Sequence, residues 1–396
     1  MIPVVKALSQ ILENVQETCV EQVALSDALD RVLAVDVTAR LTQPWADVSA
    51  MDGYAVRAAD VATVPTTLAV IGESPAGGCF DGEVGPGQAV RIFTGAPVPQ
   101  GADAIVIQED TERDGDTVKV LETAAPGRFV RPAGLDFTTG DVLLHAGRRL
   151  SARDLGLAAA GNAPWLQVKR RPRIAIIATG DEVVMPGDAL GANQIVSSNS
   201  VMLAAYVRSL GAEPLDLGIA RDDEASLARL VQSAREADLL VTIGGASVGD
   251  YDLVNRVLGN EGVDLGFYKV AMRPGKPLIF GHLHGTPVLG LPGNPVSVGV
   301  TSAIFLAPTI LAMLGLDPAT HIESATLGVD LGENDQRQDY LRATLSVGAN
   351  GEAVATPFSK QDSAMLAKFA DADCLVIRAP FAPPIQAGAE VEIIRL

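Results

Sequence analysis

Residues 173–180 read RIAIIATG, an apolar run that ends in a glycine-containing loop. A second run of this kind, DLLVTIGG, occupies residues 238–245, and amphipathic helical segments lie between the two. Apolar strands that alternate with amphipathic helices are typical of a parallel sheet that is covered on both faces. We therefore predict a central doubly wound α/β domain with a parallel sheet over residues 171–317.

The segments on either side of this domain have a different character. Residues 45–140 alternate glycine, proline and short Val/Ile/Thr runs, which predicts a β-rich domain with many turns. Residues 1–44 and 141–170 are predicted to form a helical N-terminal domain, in which Ser151 caps the start of one helix. Residues 318–396 again read as strands, which predicts a C-terminal β-barrel. The expected fold class is a multidomain α/β plus β protein.

Composition limits the partners and the compartment. The chain of 396 residues has a formal net charge of −18 at pH 7, which argues against a nucleic-acid-binding protein. Its N-terminus lacks the features of a signal peptide. The uncharged segment 296–316 contains Ser297, Thr301 and Pro308, so it is predicted to be a buried helix, kinked or stepped at Pro308, rather than a membrane span. We expect a cytoplasmic protein with no membrane or nucleic-acid partner.

Polar loops follow the predicted strands at one edge of the central sheet. In open α/β sheets, ligands bind beyond the carboxyl ends of the strands. Glycine turns at such positions offer backbone N–H groups to anions, and carboxylates beside a phosphate call for a cation such as Mg²⁺. The edge therefore predicts a site for Mg²⁺ and a phosphorylated ligand. Its candidate residues are Gly180 and Glu182, Asp222, Ser247 with Asp250 and Asp252, Arg273 and Lys276, and Gly293 with Asn294.

The turn GASVG at 245–249 also matches the G-x-S-x-G pattern that carries a nucleophilic serine in hydrolases. A serine triad would require a histidine close to Ser247. His282 and His284 lie in GHLHG, which is predicted to be a surface turn away from the strand ends. We therefore favour the anion-binding and metal-binding interpretation over a serine hydrolase.

Six motifs occur together over nearly the whole chain. They are SAMDGYAVR at 49–57, FTGAPVP at 93–99, TGDE at 179–182, GGASVGDYD at 244–252, PGKP at 274–277 and LPGNPVS at 291–297. In this order they resemble the molybdopterin molybdotransferase family, of the MoeA and gephyrin E-domain type. The resemblance implies an enzyme that inserts molybdate into the dithiolene of adenylylated molybdopterin and releases AMP with Mg²⁺. It also implies a molybdopterin-binding domain at 171–317, a lateral domain at 45–140, and a homodimer whose active site is shared between the subunits.

The resemblance further implies roles for individual residues. The catalytic candidates are Asp52, Glu182, Asp250, Asp252 and Lys276, of which Glu182, Asp250 and Asp52 would hold the metal. The substrate-binding candidates are Thr94, Arg131, Asp136, Gly180, Asp222, Gly245, Ser247, Gly249, Lys269, Arg273, Gly293, Asn294, Arg342 and Ser363.

Two of these substrate-binding candidates are implied to hold molybdate. A fixed cation at Arg342 and a hydroxyl donor at Ser363 suit a tetrahedral dianion. Ser363 has an alternative interpretation, as the N-cap of a helix that begins in AMLAKFA. Arg273 replaces a lysine that is usual in the family; it keeps the charge but changes the geometry. Leu135 replaces an acid in RPAGLD, which leaves Asp136 as the candidate there.

One alternative within the same resemblance is a non-catalytic module. Such a module would hold molybdopterin without reaction, or would act as a scaffold. The carboxylates among the candidate residues favour the enzyme. The implied protein partners are the molybdopterin adenylyltransferase and the proteins that mature molybdoenzymes.

Overall fold

The computed structural model describes residues 1–221, 224–244 and 263–396. These residues form two units. The large unit contains Met1–Glu21, Asp30–Val32 and Lys169–Leu396, and the small unit contains Gln22–Leu29 and Leu33–Val168. Six of the predicted site residues lie outside the described residues: Asp222, Gly245, Ser247, Gly249, Asp250 and Asp252.

Short strands dominate the chain before residue 170. The elements there are α1 (Val4–Leu12), β1 (Val20–Ala24), β2 (Val37–Thr38), β3 (Val48–Ser49), β4 (Gly53–Val56), β5 (Thr66–Ser74), β6 (Gln88–Ile92), β7 (Ala104–Ile107), β8 (Thr111–Asp114), β9 (Thr117–Val120), β10 (Val130–Arg131), β11 (Val142–Leu144), α2 (Ala152–Ala160) and β12 (Trp165–Lys169).

A six-stranded sheet forms the main body of the small unit, in the order β7-β4-β6-β5-β9-β8. Successive residues of a strand point to opposite faces of a sheet. Along β4, Tyr54 and Val56 accordingly pack in one apolar cluster and Ala55 packs in another. The sheet is therefore buried on both faces, and it lies within the segment that composition predicts to be β-rich.

Helix α2 begins as the sequence predicts. The backbone N–H of Asp154 donates to the Ser151 hydroxyl at 3.4 Å, and the Ser151 N–H donates to the Asp154 carboxylate at 2.8 Å. This reciprocal pair is a capping box, which satisfies two donors at the start of the helix. The N-cap prediction for Ser151 is confirmed.

Strands and helices alternate after residue 170 until a final set of strands. The elements are β13 (Arg173–Thr179), β14 (Val183–Val184), β15 (Ile195–Val196), α3 (Asn199–Ser209), β16 (Glu213–Ala220), α4 (Glu224–Ser233), β17 (Leu239–Ile243), β18 (Val263–Lys269), β19 (Met272–Arg273), β20 (Pro277–Leu283), β21 (Thr286–Leu291), α5 (Pro295–Met313), β22 (Glu323–Leu327), β23 (Gln338–Val347), β24 (Ala353–Pro357), α6 (Leu366–Ala370), β25 (Cys374–Arg378) and β26 (Glu390–Arg395).

The central sheet is mixed, which corrects the prediction of a parallel sheet. Its order is β16-β13-β17-β21-β20-β18. Strands β16, β13, β17 and β21 are parallel, but β20 runs antiparallel to both of its neighbours. The reason is the tight turn between β20 and β21, where His284 and Gly285 have φ angles of 50° and 91°. Strands joined by so short a turn have to be antiparallel.

The central sheet is covered on both faces, as predicted. Ile174 and Ile176 of β13 pack in the cluster that contains apolar residues of α1, α3 and α5. Ala175 and Ile177, on the other face, pack with Leu227 of α4. The alternation of buried side chains along β13 explains why its sequence is apolar without interruption.

Helix α5 runs through the core of the large unit. Within the described part of the chain it is the one helix long and apolar enough to cross a membrane. Of its most apolar 18-residue stretch, 78% is buried inside the protein. Its middle, Ser302–Leu306, widens into a π-helical turn. Pro308, two residues after this turn, has no N–H to donate to the preceding turn, which accounts for the step. The expectation of a buried, stepped helix is confirmed.

The last strands close into a five-stranded β-barrel, as predicted. The pairings run β22–β24–β23–β25–β26 and return from β26 to β22. Strand β19 of the central region adds to this barrel beside the start of β23. Tyr340, Leu375 and Ile394 of the barrel pack in the same core cluster as α5. The barrel and the α/β region therefore share one apolar core.

Candidate functional site

A cavity of ≈ 850 Å³ lies in the large unit at the carboxyl ends of β13, β17 and β21. Gly180 and Glu182 follow β13, Gly244 follows β17, and Gly293 with Asn294 follows β21; all five line the cavity. This is the edge at which the sequence predicts a ligand site. Arg273, Lys276 and Ser363 line the same cavity, so seven of the predicted residues, together with Gly244, meet there.

The turn after β13 holds Glu182 against the backbone. Gly180 has a φ of +131°, and a Cβ atom built on it would lie 2.5 Å from Glu182 Oε2. Only glycine leaves room for the carboxylate to fold back over this turn. Among the residues that the structure describes, the Glu182 carboxylate has no hydrogen-bond partner, so its oxygens are free for a ligand.

We expect Gly180→Ala to displace the Glu182 carboxylate and to lower turnover by about tenfold or more, since small misplacements of a reacting group are costly. Gly187→Ala is the matched control, because Gly187 also has a positive φ, of +98°, but its Cβ atom would meet nothing within 4 Å. Steady-state rates and thermal denaturation of both variants make the comparison. Equal losses of activity in the two variants would show that backbone strain alone is responsible.

The loop between β19 and β20 brings two cations to the cavity. Its Gly275 has a φ of +102°, and a Cβ atom there would overlap Thr301 of α5, so the loop packs tightly onto the helix. Arg273 is ion-paired with Asp339, and at 3.4 Å with Asp335. The hydrogen bond to Asp339 raises the pKa of Arg273. In the described ranges Lys276 has no carboxylate partner, so its charge is the one available to an anion.

The barrel supplies the opposite wall of the cavity through Ser363. Asn294 Nδ2 donates to the Ser363 hydroxyl at 2.9 Å, and the N–H of Val296 donates to the Ser363 carbonyl at 3.1 Å. Helix α6 starts only at Leu366, and its N-cap is Met365. The interpretation of Ser363 as a helix N-cap is therefore wrong, and its hydroxyl belongs to the cavity.

Arg342 does not line the cavity. Its residue is 1% exposed, and its Nε and backbone N–H donate to Gln361 Oε1 at 3.2 and 3.0 Å. Gln361 Nε2 donates back to the Arg342 carbonyl at 2.9 Å and to the Phe358 carbonyl at 3.0 Å. Burial lowers the pKa of Arg342, an effect that Asp362 partly offsets. Arg342 thus lies behind Gln361, which itself lines the cavity.

Further cavity residues were not singled out as site residues from the sequence. They are Asn199, Ser297, Arg337, Gln361 and Asp362. Asn199 Nδ2 donates to the Gly293 carbonyl at 2.7 Å and so joins the start of α3 to the loop after β21. A sequence signal was present for Ser297, which lies within the motif LPGNPVS, and for Gln361 and Asp362, which precede the candidate Ser363. Lys269, which was predicted, does not line the cavity; its ammonium lies 4.9 Å from the centre of the Tyr268 ring.

The remaining candidates belong to the small unit. Asp52 Oδ1 accepts hydrogen bonds from the Thr94 N–H at 2.7 Å and from the Thr94 hydroxyl at 2.8 Å. These two bonds, with a smaller contribution from Arg91, lower the pKa of Asp52. Arg131 and Asp136 are exposed on the same unit. The structure therefore brings Asp52 and Thr94 together within this unit.

A metal would find few protein ligands among the described residues. No group of three or more His, Cys, Asp or Glu side chains in that part of the chain could hold an ion. Glu182 and Asp362 are the carboxylates that line the described cavity. Mg²⁺ commonly uses one or two carboxylates and completes its octahedron with substrate phosphates and water. The oxygen donors present fit Mg²⁺ that is shared with a substrate.

The histidines do not support a serine triad. His282 lies on β20 and His284 lies in the turn before β21. Because β21 is parallel to β17, this turn is at the opposite edge of the sheet from the cavity. Ser247 itself lies outside the described residues. No histidine lines the described cavity, so the structure gives the hydrolase interpretation no partner for its nucleophile.

Comparison with known proteins gives matches over most of the chain. Residues 2–161 match the MoeA N-terminal region (domain I and II), residues 175–312 a probable molybdopterin binding domain, and residues 324–396 the MoeA C-terminal region (domain IV). A molybdopterin molybdenumtransferase from Nostoc sp. is 43% identical over 313 residues, which are 77% of this chain and 71% of the relative.

Two further relatives span essentially the full length. A molybdopterin molybdenumtransferase from Haemophilus influenzae is 34% identical over 399 residues, covering 99% of this chain and 98% of the relative. The solved structure of the molybdopterin biosynthesis MoeA protein from Pyrococcus horikosii has a TM-score of 0.87 and 32% identity, and covers 100% of this chain and 99% of that one.

Proposed function

Since the chain belongs to the MoeA family of molybdopterin molybdenumtransferases and so acts in molybdenum cofactor biosynthesis, we propose that it inserts molybdate into the dithiolene of adenylylated molybdopterin and releases AMP in an Mg²⁺-dependent reaction. The observation that carries this proposal is one cavity in which Glu182 lies among glycine turns with Lys276, a cation that has no carboxylate partner among the described residues. Its enzymatic relatives leave no reason to retain a non-catalytic scaffold or a serine hydrolase.

The cations and the turns would bind the phosphates of the nucleotide. Lys276 carries a compact charge that can move to meet an oxyanion. Gly293 and Asn294 precede the first turn of α5, where Pro295 has no N–H and the Val296 N–H already donates to the Ser363 carbonyl, so the backbone N–H groups of Gly293 and Asn294 are the proposed donors. Together these groups orient a pyrophosphate with its bridging oxygen inside the cavity. Arg273 would contribute less, because Asp339 and Asp335 already bind its guanidinium.

Glu182 would hold Mg²⁺ at the rim of the turn after β13. When bound, Mg²⁺ neutralises charge that builds on the leaving phosphate. The carboxylate oxygens of Glu182 are oriented over Gly180 for such a contact. We propose Asp250 of the same chain and Asp52 as the further ligands, on the strength of the family motifs in which they occur.

Ser363 would bind molybdate. Its oxygen already accepts a hydrogen bond from Asn294, so the hydroxyl proton is left to donate to an oxyanion. Asn294 thereby fixes the direction of that proton, and Arg337 lines the same cavity with its guanidinium held by Asp335 at 2.9 Å. This arrangement offers a tetrahedral dianion one oriented donor and one fixed cation.

We further propose a cytoplasmic homodimer in which Asp52 of one subunit completes the site of the other. The motivation is that Asp52 and Thr94 carry family motifs but belong to the small unit. The molybdopterin adenylyltransferase and the proteins that mature molybdoenzymes are the proposed partners, since they would supply the substrate and receive the product.

AMP release upon addition of molybdate to the protein with adenylylated molybdopterin and Mg²⁺ tests the reaction. The same assay on a mixture of Asp52→Ala and Glu182→Ala tests the shared site. Random exchange of subunits would restore about one quarter of the wild-type sites, because half of the dimers are mixed and each has one intact site. Absence of AMP release by the wild type would disprove the reaction. No recovery in a mixture with proven subunit exchange would disprove only the shared site.

A further inference from the structure

Arg91 lies beside Asp52 in the sheet of the small unit. It belongs to β6, where it is directly opposite Tyr54 of β4. Its guanidinium carbon lies 5.2 Å from the centre of the Tyr54 ring and 4.9 Å from the centre of the Phe93 ring. The guanidinium thus lies within cation–π distance of two aromatic rings, contacts that favour a planar cation.

The two ends of the Arg91 guanidinium hold two different segments. Nη1 donates to the Gly53 carbonyl at 3.0 Å, and Nη2 donates to Gln108 Oε1 at 2.7 Å. The backbone N–H of Gln108 in turn donates to the Asp52 carbonyl at 3.1 Å. Arg91 is therefore bonded directly to the Gly53 carbonyl, and it is linked to the Asp52 carbonyl through Gln108.

The backbone at this point has little freedom to move. A Cβ atom on Gly53 would overlap the carbonyl of Val106 on the neighbouring strand β7. Gly53 consequently allows β4 and β7 to approach closely. Strand β7 packs against Gly53 on one side, and Arg91 of β6 bonds to its carbonyl on the other. A shift of Arg91 would be transmitted directly to Asp52.

The Asp52 carboxylate has one occupied and one open oxygen. Oδ1 accepts both hydrogen bonds from Thr94, which follows β6 three residues after Arg91. Within the part of the chain that the structure describes, Oδ2 has no hydrogen-bond partner. The direction of Oδ2 therefore depends on how the start of β4 sits relative to the end of β6, and Arg91 is the side chain that joins them.

We propose that Arg91 is a positioning residue, which fixes the backbone around Asp52 so that the open oxygen of its carboxylate is presented to a cation. The inference rests on the proposed role of Asp52 in the metal site. Lysine is a poor replacement for arginine here, because Nη1 and Nη2 bond to Gly53 and Gln108 from two separate nitrogens of one rigid plane, which an ammonium group lacks.

The test compares Arg91→Lys and Gln108→Met with the wild type, with Asp52→Asn as the reference for a lost ligand. In AMP release, Arg91→Lys should raise the half-saturating Mg²⁺ concentration by about tenfold, the effect typical of residues that orient a metal ligand. The half-saturating molybdate concentration should change by less than about twofold, since Arg91 is proposed to act only through Asp52. Gln108→Met should shift the Mg²⁺ dependence in the same direction but less.

A crystal structure of ligand-free Arg91→Lys provides a readout that does not depend on activity. It should show the Asp52 carboxylate turned away from Thr94. Arg113→Gln is the matched control, because Arg113 is exposed on the same sheet and its Nε donates only to the Gly115 carbonyl, at 3.1 Å. It should behave as the wild type in both experiments.

The possible outcomes separate the inference from the proposed function. If Asp52→Asn keeps the wild-type Mg²⁺ dependence, the role of Asp52 is disproved and the inference about Arg91 falls with it. If Asp52→Asn is impaired while Arg91→Lys and Gln108→Met are normal, only the inference about Arg91 is disproved. Equal increases in the Mg²⁺ and molybdate requirements, with an unmoved Asp52 carboxylate, would show a general structural role and would also overturn it. Should Arg91→Lys not fold, Gln108→Met decides between these outcomes.

Discussion

Glu182→Gln is expected to lower AMP release by about 100-fold at saturating substrates, the loss typical when one group that stabilises developing charge is removed. The side chain keeps its volume and its position over Gly180, but it loses the charge that binds a cation. Because Glu182 is exposed and has no partner among the described residues, the free energy of unfolding should be nearly unchanged. Single-turnover AMP release measured against Mg²⁺ and against molybdate identifies the step that fails.

The expected defect is specific to Mg²⁺. The Mg²⁺ titration should shift to higher concentration, while nucleotide binding falls less, because Lys276 and the glycine turns still bind the phosphates. Glu213→Gln is the matched control: Glu213 lies at the start of β16, at the opposite edge of the sheet, and Arg173 is 3.8 Å from its carboxylate. An exposed pair of this kind contributes little to stability. A wild-type Mg²⁺ titration in Glu182→Gln would remove Glu182 from the metal site.

Arg342→Met is expected to separate stability from function. Arg342 is 1% exposed, and in the described structure it forms no salt bridge and its Nη1 has no hydrogen-bond partner. A buried charge without a salt bridge is costly to desolvate, so replacing it by an apolar side chain of similar volume should leave the free energy of unfolding unchanged or raise it. The molybdate requirement should nevertheless rise by about tenfold, because Gln361 loses one anchor and the adjacent Ser363 is then less well positioned.

Arg378→Met is the control for this variant. It should lower the stability of the fold and leave molybdate binding unchanged. Arg378 is also buried in the barrel, but its Nη2 donates to three carbonyls, those of Gly332, Ala382 and Pro383. Loss of these three hydrogen bonds should destabilise the fold by about 1 kcal/mol each, while molybdate binding stays normal. Denaturation curves and molybdate titrations of both variants give the comparison. A stability loss in Arg342→Met with an unchanged molybdate requirement would contradict the expected role.

The alternation of apolar strands and amphipathic helices was enough to predict the covered central sheet. The prediction of an all-parallel sheet was wrong at β20, although the turn GHLHG that makes β20 antiparallel was recognised. A continuous apolar run records burial on both faces and carries no information on strand direction. Direction is set by the length of the connection, and two strands joined at His284 and Gly285 leave no room for a crossover.

The site was predictable where it depends on loops that follow strands. Glu182 and Lys276 were found because the carboxyl ends of neighbouring strands necessarily meet at one edge of the sheet. How deeply a side chain is buried depends on tertiary packing, and the neighbouring sequence gives no comparable indication of it. Arg342 was therefore expected to face molybdate, whereas it lies behind Gln361. Arg273 was expected to bind an anion, whereas its guanidinium is ion-paired with Asp339.

The apolar cluster that joins the barrel to helix α5 has a consequence for how this part of the chain loses its structure. Tyr340, Leu375 and Ile394 are buried against the same residues that pack the central sheet. Opening the barrel alone would expose that shared surface to water, so the two regions should melt in a single cooperative transition rather than in two steps. A chimaera that takes the barrel from a homologue should therefore fold only when α5 comes from the same homologue. The barrel and α5 together form the smallest segment that recombination can exchange.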